Sequence, residues 1–245
     1  MILTTDNAAH EKYNNETPAG SFDPGLLRAV DTLLIDYDGT LMDTNDLVLS
    51  SWRYAVRELT GRDVPISELK QTFGEVLAES MERIMPEIPV ETAIETYRSY
   101  QRGRYLDEVR PYEGAAGALA VLKARGYKLG IPTSRMRRSV MQGLEHFGLI
   151  GYIDAIVTAD EVTRHKPDPE SLLLVLDALG SRPERALMIG DSKQDMEAAR
   201  NAGCFCALVD WSAPLPPEKR AAATRPDFIL RSWGELPGLL GAPQP

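Results

Sequence analysis

The chain has 245 residues, 43% of them hydrophobic, enough for one large domain or for a core that carries a second lobe. A formal net charge of −9 supplies no basic stripe for a phosphate backbone, so nucleic acid is not expected as a partner. No run of about 18 apolar residues occurs, and the N-terminal MILTTDNAAHEKYNN lacks the apolar stretch of a signal peptide, so neither membrane nor export is expected and the protein reads as cytoplasmic.

Residues 1–25 are polar and without apolar period, which predicts a loosely ordered extension. The run Thr32-Leu33-Leu34-Ile35 then reads as an apolar strand that stops at Asp36-Tyr37-Asp38-Gly39-Thr40. Two residues apart at a strand end, Asp36 and Asp38 can aim both carboxylates to one side while Tyr37 points away. Such a pair can divide labour: an ionised carboxylate attacks as a nucleophile, and the other, its pKa raised by the neighbouring charge, shuttles a proton. An Asp-Gly surface turn would account for the same residues.

From about residue 45 to residue 110 the pattern is helical only, over Leu47 to Leu59, Glu75 to Met85 and Val90 to Tyr105, which predicts an insertion at 45–110. Pro111, Glu113 and Gly114 mark the return to a core made of 26–44 and 111–245. In that core, apolar runs at Tyr127 to Ile131, Ile153 to Val157, Ala186 to Ile189 and Phe205 to Val209 alternate with helical patterns. The helices are Gly114 to Arg125, Arg135 to Phe147, Glu170 to Leu179 and Lys193 to Ala202. The alternation predicts an α/β fold, a doubly wound parallel sheet in which polar residues at the carboxyl ends of the strands converge on one crevice.

Four groups stand at those ends. Thr133, with Ser134 capping the next helix, offers a hydroxyl and backbone N–H groups to a phosphoryl oxygen, although an N-cap alone would explain the pair. Arg135, Arg137 and Arg138 read as a solvated helix face. Lys166 precedes Pro167 and Pro169, which stiffen the backbone and fix where its stem starts. Asp191 and Asp195, four apart as a helix begins, share one face and suit magnesium, with helix capping as the plainer explanation. Cys204 and Cys206 would point to one face of a strand and read as buried thiols, since two cysteines make no metal set or disulfide framework. Pro214, Pro216 and Pro217 read as a loop, and no internal repeat is present.

In combination these residues resemble the haloacid dehalogenase superfamily, in its phosphoglycolate phosphatase-like and β-phosphoglucomutase-like branch with a helical cap. The resemblance covers about 31–210 and rests on Asp36-Tyr37-Asp38-Gly39-Thr40-Leu41, Thr133, Lys166 before Pro167, and Gly190-Asp191 through Asp195. It implies that Asp36 is the nucleophile and a metal ligand, and that Asp38 is general acid then base with its backbone carbonyl on the metal. It also implies that Thr133 and Lys166 hold phosphoryl oxygens, that Asp191 binds Mg2+ directly, and that Asp195 supports the ion directly or through water. Gly39, Thr40 and Ser134 would lie against the substrate. Gly74 and Glu75 match a cap loop that faces the site in similar phosphatases, with Asn45, Trp52 and Arg53 near the first cap helix.

An aspartate at position 38 argues for phosphate chemistry, because the dehalogenases and phosphonate-cleaving members lack it. Tyr37 stands where Leu is more typical, and Arg135 where Lys is frequent. The expectation is a Mg2+-dependent phosphatase, a monomer or weak dimer, that hydrolyses a small phosphorylated metabolite through an aspartyl-phosphate. The rivals are a β-phosphoglucomutase-like phosphomutase or a pyrophosphatase on the same fold, and a catalytically dead binding module, against which the intact acid and lysine set speaks.

Overall fold

A computed structural model describes residues 24–73, 75–212, 224–241 and 243. The expectations for 1–23, for Gly74 and for the proline loop at 214–217 lie outside the described residues; Pro24 and Gly25 already belong to a 3-10 turn, Pro24–Ala29.

The core is a six-stranded sheet in which every pairing is parallel: β1 (Thr32–Ile35), β4 (Lys128–Pro132), β5 (Ala155–Val157), β6 (Ala186–Gly190), β7 (Phe205–Val209) and β8 (Phe228–Leu230), in spatial order β5-β4-β1-β6-β7-β8. The chain runs from β1 outward to β5, then returns to lay β6 on the other side of β1. Leu33 is in register with Leu129 on one side and Leu187 on the other. That reversal opens a crevice at the carboxyl ends of β1, β4 and β6, the place where open α/β sheets bind ligands.

Alternating side chains feed two apolar layers, one on each face, which is why these short strands carry continuous apolar runs. Leu33, Ile35, Leu187, Ile189, Ala207 and Val209 join α6 (Ala115–Ala124) and α7 (Arg137–His146) on one side. Leu34, Met188, Cys206 and Leu208 join α8 (Glu170–Ala178) and α9 (Lys193–Ala202) on the other. Cys204 and Cys206 both belong to this second layer, where burial pushes each thiol up to about 12. Such thiols are inert at neutral pH.

Between a two-residue strand β2 (Met42–Asp43) and its antiparallel partner β3 (Arg110–Pro111) runs a helical segment. It contains α1 (Asn45–Thr60), α2 (Ile66–Leu69), α3 (Leu77–Ile84), α4 (Val90–Gln101) and α5 (Tyr105–Glu108). It has its own apolar cluster, built on Trp52, Val56, Leu69, Met81, Ile84 and Tyr97.

Three details differ from the sequence reading. The single helix expected over Val90 to Tyr105 is two, because Gly103 at φ 87 breaks it after Gln101. Helix α7 starts at Arg137, two residues late, with Met136 as its N-cap and no side-chain cap, so Ser134 does not cap it. Strand β8, which forms one edge of the sheet, and the helical turn Leu236–Leu240, which packs against α6, were not signalled. Among the described residues no helix is long and apolar enough to cross a membrane.

Candidate active site

Asp36 follows β1 directly, and its N–H donates to the Ile189 carbonyl at 2.9 Å, so the sheet ladder carries the backbone up to the carboxylate. The side chain is buried, and so is that of Lys166, which arrives from the loop before α8. Lys166 Nζ donates to Asp36 Oδ1 at 2.7 Å, to Asp195 Oδ1 at 2.6 Å and to the Pro132 carbonyl at 3.3 Å. Burial works against the Lys166 charge, but the Asp195 and Asp36 carboxylates outweigh it and hold the ammonium charged.

Asp195 does two jobs at once. Its Oδ2 accepts from the N–H of Ser192 at 3.1 Å and from its hydroxyl at 2.6 Å, and its own N–H donates to Ser192 Oγ, a capping box that starts α9. The capping explanation and the site explanation therefore hold together for this residue. Asp191 lies beside it, its Oδ2 accepting from Ser212 Oγ at 2.7 Å. Gly39 sits at φ 73, and a Cβ there would come within 2.4 Å of Asp191 Oδ2, so only glycine lets the loop after β1 close onto this acid. Nothing in the sequence singled out Ser212, a lone serine just after β7.

One oxygen each of Asp36, Asp191 and Asp195 lie within 4.8 Å of one another. Burial pushes the Asp36 carboxyl well above its usual range, with Asp195 and Asp191 pushing the same way against the pull of Lys166. Three clustered carboxylates to one ammonium leave an excess of negative charge. A hard divalent cation bound by carboxylate oxygens relieves it, and the donor set fits Mg2+.

Asp38 faces the same cavity with its side chain one-third exposed. Here the structure corrects the reading of Arg135 as part of a solvated face. Its side chain is 9% exposed, and Nη1 donates to Asp38 Oδ1 at 2.7 Å, while Arg137 and Arg138 are exposed. The reason is the late start of α7: Arg135 precedes the helix and its side chain turns inward. Thr133 is buried against the cavity, its Oγ1 accepting from the Arg135 N–H at 3.1 Å, and the exposed Ser134 also lines the cavity.

Thr40 and Gly39 do not line the cavity. Thr40 is fully buried, and its carbonyl accepts from the indoles of Trp211 at 3.1 Å and Trp233 at 3.3 Å, which makes it an anchor of the loop. Glu75 lines the cavity while paired with Arg83 and accepting from Ser80 Oγ at 2.5 Å. Asn45 and Trp52 also line it; Arg53 is exposed and does not. Asn45 Nδ2 donates to the Ser212 carbonyl at 2.6 Å, tying the start of α1 to the acid cluster's own neighbour. The cavity measures about 800 Å³ and is lined by the charged core residues together with Val48, Trp52, Phe73 and Leu77 of the helical segment.

Residues 33–209 match the family model described as haloacid dehalogenase-like hydrolase. A pyrophosphatase PpaX of Halalkalibacterium halodurans is 34% identical over 212 residues, 86% of this chain and 97% of that protein. The crystal structure of a haloacid dehalogenase-like hydrolase of Bacteroides fragilis, 27% identical, superposes with a TM-score of 0.77 over 84% of this chain and 99% of that one. A predicted phosphoglycolate phosphatase of Haemophilus somnus, at 20% identity, shares the fold with a TM-score of 0.75 over 86% of this chain and 98% of that one.

Proposed function

The chain belongs to the haloacid dehalogenase-like hydrolases, and on that premise we propose that it is a magnesium-dependent phosphatase that passes a phosphoryl group from a small substrate to Asp36 and then to water. The observation that carries this reading is the buried Asp36–Lys166–Asp195 cluster with Asp191 alongside, opening on a cavity whose other polar wall holds Asp38 and Thr133.

Lys166 holds Asp36 by Oδ1, which turns Oδ2 into the attacking oxygen. It forms a bond to phosphorus as the bond from phosphorus to the leaving-group oxygen breaks, and Asp38 gives that oxygen its proton. The same Asp38 carboxylate then takes a proton from water, whose oxygen attacks phosphorus; the bond to Asp36 breaks, and inorganic phosphate leaves with Asp36 regenerated. Thr133 and Lys166 steady the phosphoryl oxygens. Asp36, Asp191 and Asp195 would hold Mg2+, together with the Asp38 carbonyl that the family resemblance adds. When bound, the ion supplies the positive charge that lets an anionic nucleophile meet an anionic phosphate.

Pyrophosphate is the second reading of the substrate, favoured by the 34% identity to a pyrophosphatase over nearly all of both chains. Phosphate release from a panel that sets pyrophosphate beside phosphomonoesters, with and without Mg2+, tests both. Mg2+-dependent release from at least one class is expected. No release from any of them, or undiminished release in excess EDTA, would contradict the proposal. We place the enzyme in the cytoplasm.

A further inference from the structure

Arg135 follows Thr133 by two residues, and three contacts fix its guanidinium. Nη1 donates to Asp38 Oδ1 at 2.7 Å, Nη2 donates to Gln101 Oε1 at 3.2 Å, and Cζ lies 4.5 Å from the centre of the Tyr105 ring. Tyr105 is tied in turn, its hydroxyl 2.6 Å from that of Tyr37. Asp38 and Tyr37 belong to the loop after β1, whereas Gln101 ends α4 and Tyr105 begins α5 in the helical segment. One guanidinium thus bridges the core and the helical segment, and it does so at the carboxylate to which proton transfer is assigned.

We infer that Arg135 is a positioning residue for Asp38 and that the helical segment acts on Asp38 through it. A planar fork held at two acceptors and stacked on a ring has a single orientation, so Gln101 and Tyr105 set the direction from which Asp38 Oδ1 is held. The second oxygen, Oδ2, is left to the cavity for the transferred proton. Displacing α4 and α5 would release the guanidinium from two of its three contacts and let Asp38 turn.

The arrangement also carries a cost in stability. Arg135 Nε and Gln101 Nε2 are buried without a hydrogen-bond partner among the described residues. Unpaired buried donors cost stability, and apolar residues of the same volume would pack here without that cost. Local rules are broken in this way at functional positions.

The inference rests on the reading of Asp38 as general acid, and the experiment separates the two. We would measure the first chemical step, as single-turnover cleavage at saturating substrate together with KM, for p-nitrophenyl phosphate, whose leaving group needs little protonation, and for glycerol 2-phosphate, whose alkoxide needs a proton. Asp38→Asn is expected to lower single-turnover cleavage of glycerol 2-phosphate on the order of 10²–10⁴ and that of p-nitrophenyl phosphate far less, because only this first step senses the leaving group. Arg135→Met should show the same dependence on leaving group in the single-turnover rate, with Arg135→Lys recovering part of the loss and Gln101→Leu giving a weaker version of it. The Arg135→Met/Asp38→Asn double variant should be no slower than Asp38→Asn alone.

If Arg135→Met and Gln101→Leu slow single-turnover cleavage of both substrates equally, or change KM only, while Asp38→Asn keeps its leaving-group dependence, the positioning role is wrong and the phosphatase reading stands. If Asp38→Asn shows no such dependence, that reading falls and takes this inference with it. Should Arg135→Met fail to fold, Gln101→Leu and Arg135→Lys carry the same comparison.

Discussion

Asp36 and Asp38 are identical side chains two positions apart in different surroundings. Asp36 is buried and held by Lys166; Asp38 is one-third exposed and held by Arg135. They should therefore fail differently. Asp36→Asn replaces the attacking carboxylate with an amide and should abolish turnover on every substrate, whereas Asp38→Asn should keep fast first-step cleavage of p-nitrophenyl phosphate and then stall at hydrolysis of the phosphorylated enzyme. A pre-steady-state comparison checks this: Asp38→Asn should release a burst of p-nitrophenol and Asp36→Asn none, and the absence of a burst from Asp38→Asn would contradict it. The acids and Thr133 were legible in the sequence because they stand at or just beyond the ends of apolar runs, and Lys166 because Pro167 and Pro169 stiffen the backbone beside it. Arg135 was not, since the partners that draw it inward, Gln101 and Tyr105, lie some thirty residues earlier and come to it only through tertiary packing. Ser212 was hidden for the same reason: a lone serine carries no pattern until Asp191 is beside it.

Helix α7 shows how one element adapts to a neighbour. A Cβ at Gly143 would sit 2.0 Å from the Tyr37 hydroxyl and 2.8 Å from that of Tyr105, so the glycine in this helix makes room for a tyrosine where the family more often has leucine. Alanine at 143 should gain about 1 kcal/mol of helix propensity and lose more, because overpacking a core costs about 1–3 kcal/mol. Gly143→Ala should thus be destabilising in the wild-type background and neutral or better in a Tyr37→Leu background. Chemical denaturation of the four proteins measures this, and simple additivity of the two losses would contradict it.

The short turn after β5 makes a second case at this scale. Burial tends to raise the Glu161 and Asp160 carboxyls, but bonds from Thr158 and the Arg137 pairing outweigh it and hold both below the usual range. A depressed native pKa means stability that is present above the ordinary carboxyl range and lost as pH falls through the native value. Thermal melts should drop between about pH 5 and pH 3, and Glu161→Gln, weaker at neutral pH, should drop less over that interval. Equal drops would remove Glu161 from the account. The two-residue pairing of β2 with β3 and the three-residue β8 could not be read beforehand, because strands that short leave no periodicity.

For the whole molecule, the strand and helix periods made the doubly wound core legible, and the reversal at β1 explains why residues from four separate loops meet. The sequence left open how the helical segment meets that core. It does so through Asn45 to Ser212 and through Gln101 to Arg135, both within reach of the acids. A bound cation should stabilise the native state by mass action, so Mg2+ should raise the melting temperature of the wild type and raise it less in Asp191→Asn. An identical rise in both would show that the ion binds elsewhere.

The central claim is that phosphoryl transfer passes through Asp36, and the most direct measurement is rapid-quench mass spectrometry of the enzyme during turnover with Mg2+. The account predicts a transient phosphoryl adduct on the peptide that holds Asp36, longer-lived in Asp38→Asn and absent in Asp36→Asn. An adduct that persists in Asp36→Asn, or substrate turnover by the wild type with no adduct at any quench time in either the wild type or Asp38→Asn, would contradict it.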